Sequence, residues 1–317
     1  MRRWRGGSWL WAGLLGSIVF LAAGCTVGSD DNNWTTPASQ GAQRVEKFSQ
    51  SFPVGTVGSL SLKTGPGEVV VTSWGQDTIG VDVEKRAAGA DQAAVQAFLD
   101  GVRIEATPSG QALQVTTVTA AAPPPGVKFT GVSYLIRVPA SLKGTLNLET
   151  DRATVRLSNL RGEATLKVRQ ADAEVRDFTG RLAADVDGGQ VTLQRVEGDL
   201  EVKANGPVEI TEARLRAKAR VETANARLTI GLAELGVGQY DFLTSNAPVR
   251  LTVPYGAAAR FRVATTNGRV FDELPLTWID RNETDAEGIY RFEGWLNAGG
   301  AQVNVATTNA DVNLGYR

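Results

Sequence analysis

A short turn recurs through this chain and limits what it can fold into. Ala204-Asn205-Gly206, Ala224-Asn225-Ala226, Ser245-Asn246-Ala247, Thr266-Asn267-Gly268 and Thr308-Asn309-Ala310 share one signature, and their asparagines step by 20, 21, 21 and 42. Upstream, Leu160-Arg161-Gly162, Phe178-Thr179-Gly180 and Val196-Glu197-Gly198 recur at one constant step, and Leu157, Val175, Leu193 and Ile210 keep nearly the same step. Apolar and polar residues alternate between the turns, the period of a strand. No turn-to-turn unit leaves room for a helix. Short strands joined by Asn/Gly turns, in coils of about 18–21 residues, predict an all-β chain wound as a β-solenoid, or β-helix. Asparagine and glycine suit the left-handed corners such a winding needs.

The period assigns neighbours. With Leu166 and Val168 inside, Lys167 and Arg169 point out, and stacking at about 4.8 Å per layer sets two charged columns. One is Glu149, Lys167, Asp185 and Lys203; the other is Asp151, Arg169 and Asp187. A slipped layer would bring like charges together, so both columns read as register devices. The asparagine column reads likewise as a structural turn ladder. A longer duplication overlies the layers: Val138-Pro139, Leu148, Thr150 and Arg152 match Val253-Pro254, Val263, Thr265 and Asn267 at one common offset. Residues 51–140 are predicted as an N-terminal β region that caps the stack and supplies its first coils. Its one helix falls at 90–101, with Ala94, Val95, Phe98 and Leu99 on one face. Residues 141–317 are predicted as the coils proper, interrupted by an aromatic insertion at 271–296.

The chain begins as an address. Arg2, Arg3 and Arg5 precede an apolar run from Leu10 to Ala23, predicting a signal peptide over 1–24. Leu21-Ala22-Ala23-Gly24-Cys25 resembles a bacterial lipobox, which implies lipidation of Cys25, the only cysteine. The expected location is extracytoplasmic and membrane-anchored by lipid: the outer membrane of a two-membrane envelope, or the outer face of a single plasma membrane. Polar residues 25–50 read as a flexible tether. Cleavage before Cys25 removes the three arginines and no acids, so the mature chain is more acidic than the precursor.

Composition excludes much chemistry. The 317 residues contain no histidine, which rules out imidazole acid–base catalysis and His-liganded metals. One cysteine leaves no intramolecular disulfide or thiolate cluster. The formal net charge of −1 argues against nucleic-acid binding. No cofactor and no metal are expected. Asp172, Asp185 and Asp187 lack the loop spacing of a calcium site.

Gly67-Glu68-Val69-Val70-Val71, the strand Leu135-Ile136-Arg137-Val138-Pro139 leading into residues 146–155, and the closing segment from Gly299 to Val312 together resemble the bacterial putative-adhesin family. The resemblance covers about residues 56–317. It implies a β-helical extracytoplasmic domain and assigns no catalytic residues.

Trp278, Tyr290, Phe292 and Trp295 lie among polar residues, a composition that suits stacking on a glycan; packing against the stack is the plainer reading. The leading expectation is a non-enzymatic, lipid-anchored surface protein that presents a rigid face to a glycan, a wall polymer or an envelope partner. One alternative is a β-helix polysaccharide lyase or hydrolase using Lys167, Arg169, Asp185 and Asp187. Another is a self-associating envelope protein pairing through residues 302–314.

Overall fold

The computed structural model describes residues 43–53, 58–109, 111–140, 144–282 and 288–317. The signal segment 1–24, Cys25 and tether residues 26–42 lie outside them. In chain order the elements are β1 (Gln43–Pro53), β2 (Ser59–Thr64), β3 (Gly67–Trp74), β4 (Thr78–Gly89), α1 (Gln92–Asp100), β5 (Val102–Ser109), β6 (Ala112–Thr119), β7 (Val127–Pro139), β8 (Thr145–Asp151), β9 (Ala153–Arg169), β10 (Ala173–Asp187), β11 (Val191–Ala204) and β12 (Val208–Ala224). They continue as β13 (Leu228–Leu235), β14 (Gln239–Ser245), β15 (Val249–Val253), β16 (Ala259–Thr266), β17 (Val270–Asp272), β18 (Thr277–Asn282), β19 (Ile289–Leu296), β20 (Ala301–Thr308) and β21 (Val312–Tyr316). The described chain is thus all-β apart from one short helix, and its strands join in one large mixed sheet. β1 takes in residues 43–50, which composition assigns to the tether; alternation there is weak because only Phe52 is buried on this edge strand.

Parallel pairing fills the middle of the sheet. β9 pairs with β10 in one unbroken register, from Val155 beside Ala173 to Arg169 beside Asp187, and β10 pairs with β11 at the same offset. Each strand buries one row, such as Val175, Phe178, Leu182, Ala184 and Val186, against the rows above and below. A buried aliphatic or aromatic side chain contributes about 1.5–3 kcal/mol, so this continuous core holds the parallel strands together.

The long strands bend at two places. Asn159, Asp177, Arg195 and Glu212 all have φ between 52° and 58°, and Gly162, Gly180 and Gly198 have φ of 119°, 138° and 129°. The register stacks these glycines directly. A Cβ at Gly180 would run into the Gly162 carbonyl, and one at Gly198 into that of Gly180. That close approach, with the positive φ, accounts for the glycine in each layer. In β12 the register shifts between Gly198/Leu200 and their partners Leu215/Ala219, so the next unit is longer.

At each end the chain skips a layer. β7 ends at Pro139 and β8 begins at Thr145, and in that step the chain passes the layer that β2 and β3 occupy: β3 lies between β7 and β9, and β2 between β6 and β8. The C-terminal half repeats this. β20 lies between β14 and β16, and β21 between β15 and β17. The long duplication marks these two skips. Val138-Pro139 and Val253-Pro254 end strands from which the chain steps over one layer, about 9.6 Å in all, leaving a slot that a terminal segment fills.

Antiparallel pieces cover the ends. β4 pairs with β7, and β1 with β4. α1 crosses there, with Asp91 as its N-cap accepting from the Ala93 and Ala94 amides and with Val95, Phe98 and Leu99 buried. Phe98 meets Phe129 edge-on, with ring centroids 5.2 Å apart. At the other end β19 pairs with β16 and β18 with β19.

Candidate binding grooves

The bend at 159, 177, 195 and 212 makes a concave strip. In the left-handed conformation each of these side chains turns outward beside a buried neighbour: Leu160, Phe178, Val196 and Ala213. A second outward column, Arg161, Thr179, Glu197 and Arg214, runs parallel to it in register. Between them lies a groove of about 740 Å³, lined by both columns together with Ser73 of β3 and Arg317. The two inserted terminal segments thus each supply a side chain.

Its charges are fixed by one another. Arg195 grips Asp177 with two bonds, Nε to Oδ1 at 2.6 Å and Nη2 to Oδ2 at 2.9 Å. Its Nη1 lies 3.9 Å from Glu212 Oε2, and Arg317 Nη2 donates to Glu212 Oε1 at 2.6 Å. Arg214 pairs with Glu234 at 3.2 Å, and Arg216 pairs with Glu197. The hydrogen bond from Arg195 holds the Asp177 carboxyl below the usual carboxylate range. Arg161, Thr179 and Asn159 are exposed and make no side-chain hydrogen bond or ion pair among the described residues, so their polar groups face solvent. The arrangement can bind: it offers ordered, alternating charge to an extended ligand. The other carboxyls with shifted acidity, Glu84, Glu149 and Glu293, are also lowered, each by a neighbouring guanidinium or ammonium, the opposite of what a general acid requires.

The charged columns lie elsewhere, on the outer face of β8–β11. The register sets Glu149 beside Lys167, Lys167 beside Asp185 and Asp185 beside Lys203, with Arg169 beside both Asp151 and Asp187. Glu149 bonds Lys63 at 2.9 Å, from the inserted N-terminal strand, and Asp187 accepts from Asn205 Nδ2 at 3.3 Å. Asp172 is taken by the Gln190 amide at 2.8 Å. Among the described residues no three Asp, Glu, His or Cys side chains gather as metal ligands.

The asparagines form a hydrogen-bonded ladder whose order in space differs from its order in sequence. Asn246 Nδ2 donates to Asn225 at 2.8 Å, Asn309 to Asn246 at 2.6 Å, and Asn267 to Asn309 at 2.9 Å. All four have φ of 54–55°. Asn205 stands apart, bonded to Asp187 and without positive φ.

The four aromatics do not form one platform. On β19 the residues Tyr290, Phe292, Gly294 and Leu296 pair with the buried Thr265, Val263, Phe261 and Ala259; Phe292, Gly294 and Leu296 are buried with them and continue the core, while Tyr290 is half-buried. Trp278 packs over Gly294 and meets Phe292 edge-on, centroids 4.7 Å apart. Trp295 points to the opposite face, over Gly299 and 5.2 Å from the Arg260 guanidinium. Strand alternation separates them, a separation that composition alone could not reveal.

Arg195, Glu212 and Arg317 carry no sequence signature that marks them as a site. The even spacing of the bend column is present in the sequence, but its side chains change from amide to acid to base, so no motif repeats. The Glu212–Arg317 contact spans 105 residues.

No protein-family model and no curated protein matches the sequence. Among solved structures, a putative adhesin from Bacteroides fragilis is 12% identical, with a TM-score of 0.40 over 86% of this chain and 97% of that one. A putative adhesin from Parabacteroides merdae is 10% identical, with a TM-score of 0.40 over 85% and 96%. A putative cell adhesion protein from Clostridium sporogenes is 9% identical, with a TM-score of 0.25 over 86% and 100%. Similarity at this level decides neither the fold nor the function.

Proposed function

We propose that the protein is a non-enzymatic surface protein, held to a membrane by a lipid on Cys25, whose β-solenoid presents its bent wall to an extended glycan, wall polymer or envelope partner. The groove along residues 159–214 carries this reading. It crosses several layers, lines each with polar or charged side chains, and is held rigid by Arg195, Asp177, Glu212 and Arg317. A polymer with recurring polar groups suits such a surface better than a small molecule, which favours enclosed apolar pockets. The parallel pairing at a constant offset from β9 to β11 supports the solenoid winding. The resemblance of its opening, central and closing strands to the putative-adhesin family supports an adhesive role, and the lipobox-like segment supports the anchor.

The test is a binding screen of the full chain in detergent against glycans and cell-wall polymers, with Arg195→Ala and Glu212→Ala alongside. Saturable binding weakened about tenfold in each variant is expected, the scale of one charge-assisted contact, with no new reducing ends or unsaturated products. Cleavage of the bound polymer would revive the lyase or hydrolase reading. Absence of binding to any polymer would sink the groove as a polymer site.

A further inference from the structure

We infer a second binding site, specific for oxyanions, on the outer face of β12, β13, β15 and β21. The register aligns one outward column there: Arg156, Glu174, Thr192, Glu209, Thr229, Arg250 and Asn313. At its start the charges are spent on each other, since Arg156 pairs with Glu68 and Glu174, and Arg176 pairs with Glu174. At its end they are not. Arg250 has uncharged Thr229 and Asn313 as its register neighbours, and Arg227 enters β13 between Pro207 and Pro248. Both arginines are exposed, and neither guanidinium has a hydrogen-bond or ion-pair partner among the described residues.

The two line one groove of about 720 Å³ with Thr229, Asn313 and the two prolines; Glu209 is its one acid. Two guanidinium forks across a shared groove suit a carboxylate or phosphate, which each can grip with two parallel bonds. A hydroxyl and an amide beside them add neutral donors, and the prolines offer apolar rims to a sugar or glycerol backbone. The ligand class is an anionic polymer, bearing carboxylates as in a polyuronate or phosphates as in a polyol-phosphate chain. Asn313 belongs to the inserted C-terminal strand, so the site is complete only with β21 in its slot. The site shares no lining residue with the first groove.

The full chain in detergent would be titrated with labelled oligogalacturonate, poly(glycerol phosphate) and neutral dextran. Binding to at least one anionic polymer and none to dextran is expected, weakening as salt is added. Which polymer binds identifies the oxyanion. Arg227→Ala and Arg250→Ala should each cost about tenfold or more in affinity. Arg250→Lys, which keeps the charge and loses the fork, should fall between. Arg103→Ala, at an exposed arginine of β5 that lines neither groove, should leave this binding unchanged. Equal binding by the wild type and the Arg227→Ala/Arg250→Ala double variant would overturn the inference. So would equal binding to dextran, failure of both anionic polymers to bind, or loss of binding in Arg103→Ala. Both arginines are exposed, and thermal melts would confirm that the variants remain folded.

Discussion

Asn309 does two jobs that can be separated. Its backbone sits at φ 54°, and its side chain bonds Asn246 on one side and receives Asn267 on the other. Asn309→Gly keeps the conformation and loses both bonds. Asn309→Ala loses both bonds and adds the left-handed penalty of about 1–2 kcal/mol. The alanine variant should therefore melt lower than the glycine variant; equal melting would mean the backbone conformation costs nothing there. Tyr134 makes a pH prediction. Burial pushes its phenol from the ordinary 10.0 up to about 12, while hydrogen bonding with Thr117 and Thr64 acts in the other direction. Burial, followed by Asp199, also raises Tyr240 to about 12. A phenol with a raised folded pKa contributes stability that is complete below pH 10 and is lost as pH climbs toward 12. Stability should fall across that window, and Tyr134→Phe should flatten the fall in urea melts taken at successive pH values. An unchanged slope would remove Tyr134 as its source.

Single strands show what the sequence could and could not disclose. The period from β9 to β11 is legible because each layer repeats one alternation and one glycine bend. The stacked glycines cannot change without moving backbone. Gly180→Ala places a Cβ against the Gly162 carbonyl at a φ that alanine avoids, so a loss of several kcal/mol is expected, measured by chemical denaturation. A loss below about 1 kcal/mol would mean the bend relaxes freely. The helix is legible from its apolar face, with observed bounds of Gln92–Asp100 inside the expected 90–101. The aromatic insertion is legible as an interruption but not as a site, because which face each ring takes depends on the pairing of β19 with β16. The binding columns are illegible for a related reason: a bend fixes direction without fixing residue type, so Asn159, Asp177, Arg195 and Glu212 share a role and no chemistry.

Across the whole molecule, the strands from the two ends of the described chain are its least local parts. β2–β3 and β20–β21 each fill a slot between strands that the intervening chain has already set two layers apart. Such pairings are expected to close late in folding, since their loop-closure entropy is spent before contacts form. Both slots reach the grooves: Ser73 and Arg317 line the first, and Asn313 the second. Removing residues 301–317 should unpair β14, β15, β16 and β17 on one side and abolish cooperative unfolding, and a synthetic peptide of that segment should restore part of it. The sequence shows the duplication that marks the slots but not their occupants, because β14 and β20 pair across a long stretch of chain, with Phe242 beside Val305. The most direct measurement is a map of side-chain amide contacts by nuclear Overhauser effects in asparagine-labelled protein. Asn309 cross-peaks to both Asn246 and Asn267 are expected, with none between Asn246 and Asn267. A direct Asn246–Asn267 contact would stack the chain in simple sequence order, and would contradict both the filled slot and the grooves built upon it.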